Sequence, residues 1–95
     1  MGDVLDTLFA TVLDRQANPR PGSYTAQLVR AGEDQVLKKV GEEATEVVLA
    51  ARAQTEERLT EETADLLYHL LVALEMRGVP LARVMDELRR RRRGS

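Results

Sequence analysis

Apolar residues recur at helical spacing along almost the whole chain, and nowhere with the strict alternation of a half-buried strand. Val4, Leu5, Leu8, Phe9, Val12 and Leu13 predict a first helix with Asp3 as its N-cap. That helix is expected to stop before Asn18-Pro19-Arg20-Pro21-Gly22, where prolines and a glycine prevent regular structure. Ser23 to Arg30 fits a short helix ended by Gly32.

A longer helix is predicted from about Gln35 to about Ala53. On a wheel of about 100° per residue, Val36, Leu37, Val40, Ala44, Val47, Val48 and Ala51 occupy an arc of about 120°. Glu42, Glu43 and Glu46 cluster on the opposite side. Gly41 lies mid-helix at a cost of about 1 kcal/mol relative to Ala. It is either a site of close approach by a backbone or ligand, or simply tolerated. After a polar break over Gln54 to Arg58, a further helix is predicted from about Thr60 to Arg77, stopped by Gly78. Its stretch from Leu66 to Leu74 is apolar nearly all round, and such a helix has to be surrounded. The remaining helices of so short a chain cannot enclose it, which points to a homodimer. Pro80 is expected to open a last helix at its first position, with Leu81, Val84, Met85 and Leu88 on the buried side. The fold class is all-α: one domain over residues 1–95, a small bundle of four to five helices completed by homodimerisation.

Composition sharpens this picture. A chain of 95 residues, 43% apolar, is one small domain. Its only aromatic residues are Phe9, Tyr24 and Tyr68, so the core is built from Leu, Val and Ala, which favours helices over a sandwich. The absence of cysteine excludes a disulfide scaffold, a thiolate zinc site and a cysteine nucleophile. No apolar run approaches the ~20 residues of a membrane helix, and Met1 to Ala10 carries acids where a signal peptide needs bases. A cytoplasmic location with no membrane partner is expected.

The net charge of −2 conceals a segregation. Arg89 to Arg93 supply five of the fourteen basic residues, whereas residues 1–88 carry nine basic and sixteen acidic side chains. Ten of those acids lie between Glu33 and Asp65. The arginine run is read as a basic, partly disordered tail over 89–95, without a specific nucleic-acid partner. Extension of the last helix and nonspecific nucleic-acid binding are the competing readings.

The acids have a spacing that can carry chemistry. Glu42 and Glu46 are i,i+4, and Glu43 and Glu46 are i,i+3, so the three can converge at one level of their helix. Glu62 and Asp65 are also i,i+3, with His69 one turn further along. Antiparallel packing of the two helices would set these groups face to face. Clustered carboxylates repel, and burial raises their pKa values unless a cation neutralises them. Oxygen ligands with neither Cys nor a His pair select Mg²⁺ or Mn²⁺ over zinc. Magnesium usually binds carboxylates together with substrate phosphates, which points to phosphate chemistry. Spacing alone leaves an ordinary solvated face open, with Lys38/Glu42 and Lys39/Glu43 as i,i+4 pairs worth a few tenths of a kcal/mol. Asp65 at the rim of the apolar run tilts the balance, since a charge there is costly without a partner. His69, standing alone, is expected as a hydrogen-bonded core residue rather than a ligand.

These residues also carry a resemblance. Gly41-Glu42-Glu43-Ala44-Thr45-Glu46 followed by Glu62-Thr63-Ala64-Asp65 is similar to the EExxE…ExxD signature of the all-α, MazG-like nucleoside-triphosphate pyrophosphohydrolases. Together with Ser23-Tyr24-Thr25, the KKVGEE stretch from Lys38 to Glu43, and DLLYHLL from Asp65 to Leu71, the chain resembles the phosphoribosyl-ATP pyrophosphohydrolases of histidine biosynthesis over roughly Leu8 to Arg90. The resemblance implies Mg²⁺-dependent hydrolysis of the nucleotide 1-(5-phosphoribosyl)-ATP to phosphoribosyl-AMP and pyrophosphate, by an obligate helical dimer. It makes Glu42, Glu43, Glu46, Glu62 and Asp65 the metal-binding candidates, with Glu42, Glu46, Glu62 and Asp65 as direct ligands. Glu43 is either a further ligand or the residue that activates water, and Glu43 and Glu46 are the candidate catalytic carboxylates. Lys39, on the acidic side of the wheel, is placed to contact phosphate, with Lys38 and Arg52 as weaker candidates. Ser23, Tyr24 and Thr25 are expected to bond the ribosyl phosphate or the base, although local capping explains Ser23 and Thr25 equally well. Tyr68 and His69 are expected to satisfy each other's polar groups at the dimer interface. Two alternatives stand beside this reading: a general or house-cleaning nucleoside-triphosphate pyrophosphohydrolase of the same fold, and a non-catalytic helical dimerisation module.

Overall fold

A computed structural model describes residues 2–18 and 22–94. Five helices follow one another: α1 (Gly2–Ala17), α2 (Tyr24–Ala31), α3 (Glu33–Ala53), α4 (Glu56–Met76) and α5 (Leu81–Gly94). No strand occurs among the described residues, and no helix is long and apolar enough to cross a membrane. Pro19, Arg20 and Pro21, central to the expected break after the first helix, lie outside the described residues.

Helix boundaries follow from local chemistry. Ser23 is extended, and its hydroxyl accepts from the Ala26 N–H at 3.2 Å, capping α2. Gly32 ends α2 and begins α3 in a single residue at φ +97°. Its N–H donates to the carbonyls of Leu28 and Val29 while its own carbonyl accepts from Val36. A side chain there would be strained, so glycine makes the one-residue joint feasible. α4 starts a full turn earlier than the expected Thr60, because Thr55 caps it by accepting from the Arg58 N–H, and Glu56 and Glu57 favour its first turn. It ends in a Schellman arrangement: Gly78 N–H bonds Glu75 O at 3.0 Å and Val79 N–H bonds Leu74 O at 2.9 Å, with Gly78 at φ +69°.

Three expected termini shift. Asp3 lies within the first turn of α1 rather than at its N-cap, where its charge still complements the helix dipole. Pro80 stands just before the first residue of α5, its carbonyl accepting from Arg83 N–H at 3.1 Å. The arginine run, expected as a partly disordered tail, is helical as far as Gly94. Arg89 and Arg90 bond back one turn to Asp86 and Glu87, pairs that support helix on this exposed surface. The side chain of Arg93 and all of Ser95 lie outside the described residues.

Packing centres on an antiparallel hairpin of α3 and α4, joined by Gln54-Thr55 and bridged at its open end by Glu33 and Arg77 at 3.6 Å. α1 and α2 lie across it, whereas α5 makes the slightest contact with the rest of the chain. The core takes one buried residue from each of four helices: Val12, Leu28, Val36 and Val72, flanked by Tyr68, Ala73 and Met76.

The wheel of α3 is turned from its expected orientation. Val36 and Ala50 are buried, but Leu37, Val48, Leu49 and Ala51 are exposed, and Glu43 and Glu46 are half-buried. The expected separation of apolar and acidic faces fails because the inward side of α3 also carries carboxylates toward α4. On α4, Leu71 and Val72 are buried while Leu67 and Leu70 stay exposed. On α5, Leu81 is buried, Val84 and Met85 are half-buried, and Leu88 is exposed rather than buried. Nothing approaches Gly41 within 4 Å of where a Cβ would stand, so the described chain gives no close contact for it to permit.

Candidate active site

The antiparallel hairpin sets the middle of α3 against the first half of α4. There Glu43, Glu62 and Asp65 each offer an oxygen within 4.8 Å of the others. Glu62 is buried, Glu43 half-buried and Asp65 exposed, so the group opens to solvent on the Asp65 side. Burial, first of all, pushes the Glu43 carboxyl above its ordinary range. The negative charge of Asp65 and a hydrogen bond with Glu62 act in the same sense, and His69 opposes them. Like charges held this close favour a divalent cation, and three carboxylate oxygens are the donor set of a hard ion.

The other acids are placed differently. Glu46 is half-buried one turn beyond Glu43, outside the group of three, and Glu42 is exposed. The sequence expectation ranked Glu42 above Glu43 as a ligand; of the two, Glu43 lies within the group of three carboxylates. At i and i+1 on a helix the two residues point about 100° apart, so only one can face α4. Arg58, on no sequence list of site residues, touches the group directly: its Nη2 lies 2.6 Å from Glu62 Oε1. The signal for it was the i,i+4 spacing of Arg58 and Glu62, hidden by reading Gln54 to Arg58 as a break.

Beside the carboxylates lies an aromatic cluster joining α2 to α4. The Tyr24 and Tyr68 rings stack at 5.9 Å, and His69 meets both edge-on, at 5.8 Å from Tyr24 and 5.4 Å from Tyr68. Buried His69 donates from Nδ1 to the Asp65 carbonyl at 2.8 Å, since that oxygen can only accept. Its Nε2 lies 2.8 Å from the Tyr24 hydroxyl, so both ring nitrogens are hydrogen-bonded. Tyr68 bonds buried Thr25 through their hydroxyls. Tyr68 and His69 thus find partners on α2 or in their own helix, not in each other as expected.

These contacts divide the expected substrate residues. Ser23 is occupied as a cap and Thr25 as a buried hydrogen-bond partner, whereas Tyr24 keeps about half its surface exposed at the edge of the carboxylate group. Burial raises the Tyr24 phenol, opposed by the nearby charge of Lys39, with Tyr68, Glu43 and Asp65 adding to the rise. Half-buried Lys39 therefore faces the site, while Lys38 points to solvent.

Fold and site together define a class: an all-α chain that sets carboxylates of two antiparallel helices against each other beside a tyrosine–histidine cluster. Residues 5–92 match the phosphoribosyl-ATP pyrophosphohydrolase family, and the chain belongs to that family. Among its relatives, the phosphoribosyl-ATP pyrophosphatase of Metallosphaera sedula is 52% identical over 91 residues, covering 96% of this chain and 98% of the relative. The protein of the same name from Methanocella arvoryzae is 43% identical over 95 residues, covering 98% and 100%. That from Streptococcus sanguinis is 51% identical over 88 residues, covering 93% and 85%.

Proposed function

We propose that this protein hydrolyses 1-(5-phosphoribosyl)-ATP across its α–β phosphoanhydride, consuming one water and releasing phosphoribosyl-AMP and pyrophosphate. The observation that carries the proposal is the convergence of Glu43, Glu62 and Asp65 from α3 and α4 in a member of this family. These three residues would hold a Mg²⁺ ion, with Mn²⁺ as an alternative. When bound, the ion supplies charge neutralisation for the triphosphate and Lewis acidity. Glu46, half-buried one turn along α3, is assigned to complete the carboxylate set and to accept a proton from the attacking water at its carboxylate oxygen. Lys39 contributes positive charge for a phosphate group, and the exposed edge of Tyr24 offers a surface for the base or ribose.

The same proposal includes a homodimer and a cytoplasmic location. Leu67 and Leu70 on α4, with Leu37 and Val48 on α3, form apolar surface that a second copy would cover. The deciding assay offers the purified protein and Mg²⁺ both phosphoribosyl-ATP and a panel of nucleoside triphosphates, and follows pyrophosphate release. A strong preference for phosphoribosyl-ATP is expected. Broad turnover would assign a general nucleoside-triphosphate hydrolase, and no turnover a non-catalytic helical module.

A further inference from the structure

Arg58 occupies a position that the electrostatics of its own helix disfavour. Its backbone N–H bonds the capping Thr55 hydroxyl, so it lies in the first turn of α4, at the positive end of the helix dipole. The guanidinium is nevertheless held on two acids: Nη2 lies 2.6 Å from Glu62 Oε1 and Nη1 lies 3.3 Å from Glu61 Oε1. Those acids differ in exposure, 8% for the Glu62 side chain against 63% for Glu61. The closer and better-shielded contact is thus made to a member of the carboxylate group, and the looser one to a surface residue outside it.

We propose that Arg58 is the resident counter-ion of the carboxylate group, pairing with Glu62 until a divalent cation takes up that charge and then keeping Glu61 as its partner. The inference rests on the metal-binding reading of the site. A guanidinium and a divalent cation compete for the same buried anion, because each needs its negative charge and its oxygens. Glu61 makes the exchange feasible, since Arg58 need not be left unpaired when Glu62 changes partner. Arg58 acts through Glu62 and is a positioning residue. By linkage, a contact that stabilises the metal-free protein more than the loaded one weakens metal binding by the difference.

The test titrates Mg²⁺ alone, by calorimetry, into the full chain and its variants, with thermal denaturation in the presence and absence of chelator. Arg58→Gln is expected to bind Mg²⁺ about three- to tenfold more tightly than wild type. It should melt lower without metal, and that deficit should shrink on loading. Arg58→Lys, which keeps the charge, should lie between Arg58→Gln and wild type. Glu61→Gln, a surface change that should not impair folding, removes the fallback partner and is expected to weaken Mg²⁺ binding about two- to threefold. Unchanged affinity in Glu61→Gln, or unchanged or weaker affinity in Arg58→Gln, would overturn the inference while leaving the metal site standing. Absence of Mg²⁺ binding by wild type would overturn the metal reading and this inference with it.

Discussion

Glu43 is the residue at which burial and like charge meet, and its titration has a definite sign. A carboxyl pushed up in the folded chain costs stability when ionised. That cost is absent below the ordinary carboxylate pKa and complete above the raised one. Glu43→Gln should therefore raise the metal-free melting temperature at neutral pH. The gain should vanish near about pH 4, where the unfolded carboxyl also holds its proton. Denaturation at several pH values in chelator checks it, and a gain that persists in acid would contradict the assigned cause. For function, Glu46→Gln and Asp65→Asn are each expected to reduce turnover by at least about a hundredfold while leaving helicity unchanged. Pyrophosphate release and circular dichroism together check this, and wild-type rates would remove both residues from the machinery. At this scale the acids were legible as a set, through their i,i+3 and i,i+4 spacing. Which of them faces α4 was not, because a rotation of one helical position decides between Glu42 and Glu43. The α2 partners of Tyr68 and His69 were hidden for another reason: they lie 43 and 45 residues away, beyond the reach of any local pattern.

Short α2 depends on its contacts with the other helices, since an isolated helix of 8 residues is marginal in water. Thr25→Val keeps the shape of this buried side chain but leaves the Tyr68 hydroxyl without its partner. A loss of about 1–2 kcal/mol is expected, or roughly 4–8 °C in melting temperature for each kcal/mol. Ser23→Ala, measured in the same way, removes the cap at a cost of about 1 kcal/mol. Gly41→Ala has the opposite sign: the position is open and mid-helix, so a gain of about 0.5–1 kcal/mol is expected. Helix existence was legible for all five elements because each carries apolar residues at helical spacing. The start of α4 was written in Thr55-Glu56-Glu57 as a cap followed by two first-turn acids, but the polarity of the stretch resembled a connection. The arginine run likewise looked like a tail when its residues were considered alone; the stabilising acids, Asp86 and Glu87, lie one turn earlier.

For the whole molecule, the surplus of apolar residues on α4 was visible along the chain, and the described fold leaves part of it uncovered at Leu67 and Leu70. Light scattering after size exclusion is expected to find a dimer, and Leu70→Glu to shift it to monomer with its helices retained. A stable Leu70→Glu dimer would place the interface elsewhere. The orientation of α3 was less legible, because a wheel ranks residues by apolarity and a site that faces inward must bring charge into the same arc. Gly32 has a consequence for how the chain tolerates changes in length. A single residue separates the helix bearing Tyr24 from the helix bearing Glu43, so no slack remains to absorb an inserted or deleted residue. One residue more or less in either adjoining turn would swing the two side chains about 100° relative to each other. Length variation should therefore be tolerated better at the Gln54-Thr55 turn than at Gly32, where it would separate the aromatic cluster from the carboxylates even if every helix still formed.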